Sequence, residues 1–255
     1  MSNVQSLERA LTILNKLSEY PDGLKISQLT EQLDLSKSTI HRLLTTLGSM
    51  NYIAKDAETN KYKLGLQILF LSRNISDSNE IIRAAKPFIE KLSKDINETV
   101  HLCIEDRGEI VYIDKIESNH TVRMFSRIGT RGQMYCTAVG KILLSGVTPS
   151  YFEEVVEKID FAPRTPNTIT SQGEFRLEIE KVKQQQYALD NIENEEGIRC
   201  IAAPIYNHKG EIIASFSVSG PSNRVTMDMI EDTLIDKMKD TSLKISQTLG
   251  FTNVN

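Results

Sequence analysis

Cysteine is scarce in this chain: three residues in 255, an odd number at unrelated spacings. That count excludes a disulfide framework and points to a reducing compartment. There is no C-x-x-C and no H-E-x-x-H pair, so no metal-ligand spacing stands out. No apolar run approaches a membrane span. The N-terminus, MSNVQSLERALTIL, carries charges where a signal peptide needs an apolar stretch. A cytoplasmic location with no membrane partner is expected. No repeat or low-complexity tract is visible. A global basic field is missing too, since the net charge is −4. Locally the balance is uneven: residues 1–75 hold nine Lys/Arg against seven Asp/Glu, and residues 76–255 hold 21 against 27. A mildly basic front and an acidic back suit two domains with different partners.

Val4, Leu7, Leu11, Leu14 and Leu17 recur at three- and four-residue steps, with Ile13 beside them. They predict one buried stripe on a helix from about Ser2 to Tyr20, ended by Pro21-Asp22-Gly23. Ile26, Leu29 and Leu33 predict a short second helix. After the tight Asp34-Leu35 connection, Ser36 reads as the N-cap of a third helix running to about Met50, with Ile40, Leu43, Leu44 and Leu47 inward. Helix, short helix, tight turn and longer helix is the layout of a helix-turn-helix.

The outer face of the third helix carries the sharper signal. Ser38, His41, Arg42 and Thr45 fall at i, i+3, i+4 and i+7, flanked by Lys37 and Thr39. No Asp or Glu occurs between Asp34 and Asp56, in a chain that holds 34 acids. A carboxylate there would repel phosphates. Two β-rich runs, 51–55 and 61–64, flank the turn-forming stretch 56–60 and predict a hairpin wing. Lys55, Lys61 and Lys63 are placed to straddle a phosphate backbone, although solubility alone accounts equally well for any single one. Ser36, Lys37, Ser38, Thr39, His41, Arg42 and Thr45, with Lys55 and Lys61, are therefore the candidate contacts to double-stranded operator DNA. Arg42 is the first candidate for a guanine, because its fork matches O6 and N7.

Leu66, Leu69 and Phe70 begin a linker helix that Asp77 to Asn79 breaks. Ile81 to Asp95 reads as another helix. Strand signals follow at 99–104, 109–116 and 122–126, with Gly108 marking a hairpin. Helices are predicted at about 138–144 and 171–186, strands at 198–206 and 211–219, and a final helix from about Met227 to Leu249. The expected organisation is a winged helix-turn-helix over 1–65, a linker helix over 66–80, and a second domain over 81–255. That second domain reads as α+β around an antiparallel sheet.

VQSLERALTILNKL, ISQLTEQLDLSKSTIHRLLTTL and YKLG resemble the opening of the IclR family of regulators. RMFSRIGTRGQMYCTAVGKILLS and DNIENEEGIRCIAAPIYNHKGEIIASFSVSGPSNR resemble that family's later motifs, so the resemblance covers nearly the whole chain. Within the family it leans toward the 2-keto-3-deoxygluconate repressors of sugar-acid catabolism. Tyr135 suits that branch, while Gln133 stands where many members carry proline.

The resemblance implies a GAF-like effector domain, a small organic-acid effector, a homodimer or dimer-of-dimers tetramer, no cofactor and no catalytic or metal site. It also implies that the amides of Ala138 and Val139 hold the effector's carboxylate. Asp190, Cys200, Ser217 and Ser219 would complete the pocket. Read from the residues alone, Asp190-Asn191 equally well shapes a turn, Cys200 equally well fills a core, and the paired serines equally well face solvent. Arg123 and Arg127 lie beside the expected pocket mouth, where local ion pairing is the simpler reading. Two other readings use the same region. A zinc- or thiol-based sensor would draw on His101, Cys103, Cys136 and Cys200. A thiol-dependent enzyme would pair a cysteine with His101 and Asp190.

Overall fold

A computed structural model describes residues 4–252 apart from Val122, Arg123 and Phe125, with the backbone alone at 74, 76, 77 and 78. The chain divides into two compact units, 1–79 and 80–255. No described helix is long and apolar enough to cross a membrane.

The N-terminal unit holds α1 (Gln5–Ser18), α2 (Ile26–Leu33), α3 (Lys37–Ser49), β1 (Ile53–Lys55), β2 (Tyr62–Leu64) and α4 (Leu66–Ser78). Its core joins Ile13 and Leu17 of α1 to Leu29, Ile40, Leu44 and Leu47. The single buried stripe expected on α1 is corrected here. Val4, Leu7 and Leu11 are 64%, 57% and 51% exposed. At about 100° per residue they centre roughly 130° away from Ile13 and Leu17, more than a third of a turn. The apolar arc of α1 is thus wider than its own unit covers. Asp34 turns α2 into α3 in the left-handed region, at φ 50°. The wing is an antiparallel pair, stitched to the first turn by bonds between Leu24 and Tyr62. Gly23 makes that approach possible: at φ +77°, a Cβ there would lie 2.6 Å from the Tyr62 carbonyl oxygen.

The C-terminal unit is a six-stranded antiparallel sheet between helices. Its elements are α5 (Glu80–Ile96), β3 (Thr99–Asp106), β4 (Glu109–Ile116), β5 (Arg131–Gly132), α6 (Ala138–Ser145), α7 (Pro149–Lys158), α8 (Gln172–Gln185), β6 (Ala188–Asn191), β7 (Ile198–Tyr206) and β8 (Ile212–Pro221). The C-terminal helical segment comprises α9 (Met227–Met229), a π-helical turn over Ile230–Leu234, and α10 (Ile235–Thr248). Strand order is β5-β4-β3-β8-β7-β6. Alternation along the strands sorts two cores. Val100, Leu102, Ile201, Ala203 and Phe216 face α5 and α10. Cys103, Ala188 and Ala202 join the layer of α6, α7 and α8. The α+β class and antiparallel sheet expected from sequence are what the chain forms.

Several elements differ from expectation. Asp190-Asn191 ends an edge strand and also shapes the turn after it: Ile192 stands at φ 62°, and the Asp190 carboxylate accepts from amides on the far side of that turn. α7 was not expected, although Tyr151, Phe152, Val155 and Val156 recur at i, i+1, i+4 and i+5 and turn toward the core; Thr148 caps it and Pro149 opens it. The final helix is interrupted by the π turn. Of the strand expected over 122–126, Val122, Arg123 and Phe125 lie outside the described residues. Met124 and Ser126 belong to no strand.

Candidate functional site

Two surfaces carry the chemistry. The first is built on α3. Ser36 caps it, its side chain accepting from the Thr39 amide at 3.2 Å. A cap of this kind is worth about 1 kcal/mol. With Ile40, Leu44 and Leu47 buried, the same helix must present Lys37, Ser38, His41, Arg42 and Thr45 to solvent, and all five are exposed. Thr39 is half-buried and Thr45 bonds back to the His41 carbonyl. Among the described residues, neither Lys37 nor Arg42 pairs with a carboxylate, so both charges are free to meet another anion.

On the wing, Asp56 accepts from the Thr59 and Glu58 amides and from the Thr59 hydroxyl, fixing the loop. Lys55 is exposed and lies over the Tyr62 ring; Lys61 is half-buried. A groove between the wing and the starts of α2 and α3 is lined by Lys25, Ser27, Thr30, Lys37, Lys55 and Asn60. The sequence reading had not placed Lys25, Ser27, Thr30 and Asn60 there. They come together only through the strand pairing of Leu24 with Tyr62.

The second surface is a small cavity of about 80 Å³, partly open to solvent, in the C-terminal unit. It brings together all six residues assigned to an effector: Ala138, Val139, Asp190, Cys200, Ser217 and Ser219. The register explains how. His101 pairs with Ser217 in one row, and Ser219 with Cys200 and Cys200 with Asp190 in the next row but one along the strands, so all five share one face of β3, β8, β7 and β6. Ser217 and Ser219 are buried rather than facing solvent. At the side of that face, Thr137 caps α6, accepting from the Gly140 amide at 3.2 Å. Ala138 and Val139 are then the first helical residues, whose amides have no intrahelical acceptor and sit at the positive end of the helix dipole. Gly140 is required: a Cβ there would stand 2.3 Å from the Met134 carbonyl oxygen.

Sequence reasoning had not assigned the cavity's other walls. His101 bridges Ser126 (2.7 Å) and Ser219 (3.3 Å) and packs edge-on to Tyr112. Burial, with the Lys115 ammonium nearby, holds its imidazole down to about 3, so it is neutral. Burial pushes the Tyr112 phenol up. Met124, Asn194, Glu195 and Ile198 also line it; Arg127 is not part of it, and Arg123 lies outside the described residues. Asp190 accepts from the Glu193 and Asn194 amides at 2.7 and 3.2 Å. Burial nevertheless pushes its carboxyl up to about 6.

Residues 6–57 match the IclR helix-turn-helix domain, and residues 74–247 match the C-terminal domain of bacterial IclR transcriptional regulators. The chain belongs to the IclR family. IclR proteins are transcriptional regulators, a class distinct from enzymes, and this IclR protein is a DNA-binding regulator of that class. XynR of Escherichia coli (strain K12), an HTH-type transcriptional regulator, is 36% identical over 251 residues, spanning 98% of this chain and 99% of the relative. KdgR of the same strain is 34% identical over 249 residues, spanning 98% and 94%. The Thermotoga maritima IclR crystal structure aligns at TM-score 0.81 with 31% identity, covering 98% of this chain and 100% of that one. The C-terminal domain of E. coli KdgR aligns at 0.61 with 34% identity, covering 68% of this chain and 100% of that one.

The thiol-enzyme reading is overturned by that membership. It also fails on chemistry. Burial pushes the Cys103, Cys136 and Cys200 thiols up, Cys136 to about 12, which removes the nucleophilic thiolate at neutral pH. Among the described residues, no three His, Cys, Asp or Glu side chains are grouped to hold a metal ion.

Proposed function

We propose that this IclR protein is a repressor of sugar-acid catabolic genes, released from its operator by a small 2-oxo acid of the 2-keto-3-deoxygluconate type. The observation that carries the reading is one cavity in which helix-end amides stand beside hydroxyl, imidazole and carboxyl groups. Such amides suit a carboxylate without needing an arginine. Asp190, Ser217, Ser219 and His101 suit a chain of hydroxyls better than an apolar ring. Identity of 34–36% to KdgR and XynR over nearly the full length supports the same branch.

The outer face of α3 reads base edges, with Ser36, Lys37, Ser38, Thr39, His41, Arg42 and Thr45 as contacts. Lys55 and Lys61 of the wing position it on phosphates. A second copy covers the exposed apolar residues of the N-terminal unit: Val4, Leu7 and Leu11 on α1, and Leu66, Leu69, Phe70 and Ile75 on α4. A two-fold dimer then reads a pseudo-palindrome, and two dimers form a tetramer. The effector acts by binding one spacing of the recognition helices better than the other.

The test is a pair of thermal melts with and without 2-keto-3-deoxygluconate. A bound ligand must raise the melting temperature, and Asp190→Ala must blunt that rise. No shift with this or any small oxo acid would leave the C-terminal unit as an assembly module only.

A further inference from the structure

The charges around the cavity do not balance. Lys141, on α6 and 0% exposed, is its buried cation. Its ammonium donates to Glu193 Oε1 at 2.6 Å and to the Leu189 carbonyl at 2.8 Å, and Glu178 Oε1 lies 3.7 Å away. Asp190 stands three residues before Glu193 and shares its turn. One ammonium therefore serves three carboxylates, of which Asp190 and Glu193 are buried and Glu178 is partly solvated. Glu193 Oε2 is buried without a hydrogen-bond partner among the described residues.

The groups around Asp190 offer no second cation. Cys200 on β7, Cys136 before α6 and Tyr112 on β4 are held protonated by burial, and His101 on β3 is neutral. Lys115, on β4, is occupied by Glu117 and the Met124 and Ser126 carbonyls. Arg164 is exposed and bonds the Asn194 carbonyl. Glu195, also on the cavity, adds a further acid at its exposed rim.

An effector carboxylate at the start of α6 adds another negative charge to this enclosure. Like charges in a poorly solvated space cannot all stay ionised at low cost. We propose that the effector anion binds together with one proton, and that the proton resides on Asp190. This rests on the cavity being the effector site. Glu193 is the poorer acceptor of that proton, because the Lys141 ammonium bonds it directly. Asp190 already titrates near neutrality, at about 6, through burial. Protonated, it keeps Oδ1 for the Glu193 and Asn194 amides and offers Oδ2–H to an effector oxygen. The regulator then senses acid and anion jointly. Effector affinity rises as pH falls, by up to about tenfold per pH unit, and levels off below about 6, where Asp190 holds its proton already.

Isothermal titration calorimetry of the full chain with 2-keto-3-deoxygluconate tests this, near pH 7 in buffers of low and high ionisation enthalpy. The expected result is uptake of up to one proton by wild type and by Glu193→Gln, and none by Asp190→Asn, whose affinity no longer changes with pH. Binding by wild type with no proton uptake from pH 5.5 to 8 overturns the proposal and leaves the effector site standing. Uptake kept by Asp190→Asn and lost by Glu193→Gln moves the proton to Glu193 and overturns the assignment. No binding of this acid, of gluconate or of pyruvate removes the effector reading itself, and the proposal with it.

Discussion

The Lys141 ammonium lies 2.6 Å from Glu193 Oε1 with both side chains inside the protein, and this contact ties α6 to the turn that carries Asp190. A buried pair of this kind contributes little net stability against an apolar replacement, but removing one partner strands the other. Lys141→Met should therefore destabilise the C-terminal unit by about 3–5 kcal/mol. Lys141→Met with Glu193→Leu should recover much of that loss. Urea unfolding of the single and double variants measures both. Equal instability of the two variants would mean that packing, and not charge, decides the site.

Arg42→Ala should weaken specific DNA binding by about 1–3 kcal/mol and relax specificity at one base pair. Binding to unrelated duplex should change little beyond the loss of one charge. Mobility-shift titrations on operator and random DNA at a fixed salt concentration separate the two. Equal loss on both would assign Arg42 to a phosphate.

His101 makes the fold acid-sensitive. Its folded value of about 3 lies below the ordinary 6.5. Below about 6.5 the unfolded chain takes up a proton that the native state refuses. Its stabilising contribution is complete above that pH and is lost on acidification toward 3, by at most about 1.4 kcal/mol per pH unit. Asp190 acts oppositely: raised to about 6 from 3.8, its native carboxyl protonates first, so its contribution grows on acidification and is lost as pH rises through 6. The difference in unfolding free energy between wild type and His101→Asn isolates the histidine. It should shift in favour of the variant as pH falls from 6.5 to 4; a constant difference would contradict the assigned ionisation.

Phe70 and Leu69 stand exposed on α4, and Leu7 and Leu11 on α1. Phe70→Glu should lower the assembly state measured by sedimentation and, through loss of the paired half-sites, weaken operator binding far more than Leu177→Glu. Leu177 is equally exposed on α8 but stands alone. Unchanged assembly in Phe70→Glu would place the subunit contact elsewhere.

The N-terminal unit was legible where local rules decide. Ser36 followed by Ile40, Leu44 and Leu47 specifies its own cap and period. The α1 stripe differs from expectation because leucines left exposed have the same spacing as leucines turned to the core. Asp190-Asn191 has turn composition and Asp190 does hold the next turn, yet pairing with Cys200 and Arg199 also makes the two residues the end of a strand, which composition did not show. The cavity's six assigned residues came from resemblance, and its geometry explains why spacing could not supply the rest. His101, Tyr112 and Ser126 meet only through β3–β4 pairing and the loop after it. A fully buried lysine such as Lys141 runs against composition rules, which place lysine at the surface.

The most direct test is a fluorescence-anisotropy titration of the full chain against the DNA upstream of its own coding sequence, with and without 2-keto-3-deoxygluconate. The expected result is binding to that duplex at least about a thousandfold tighter than to random sequence, weakened when the acid is added and when Arg42 is replaced by alanine. No preference for that duplex over random DNA at modest salt, or none altered by Arg42→Ala, would contradict the reading of α3 as the surface that meets the bases.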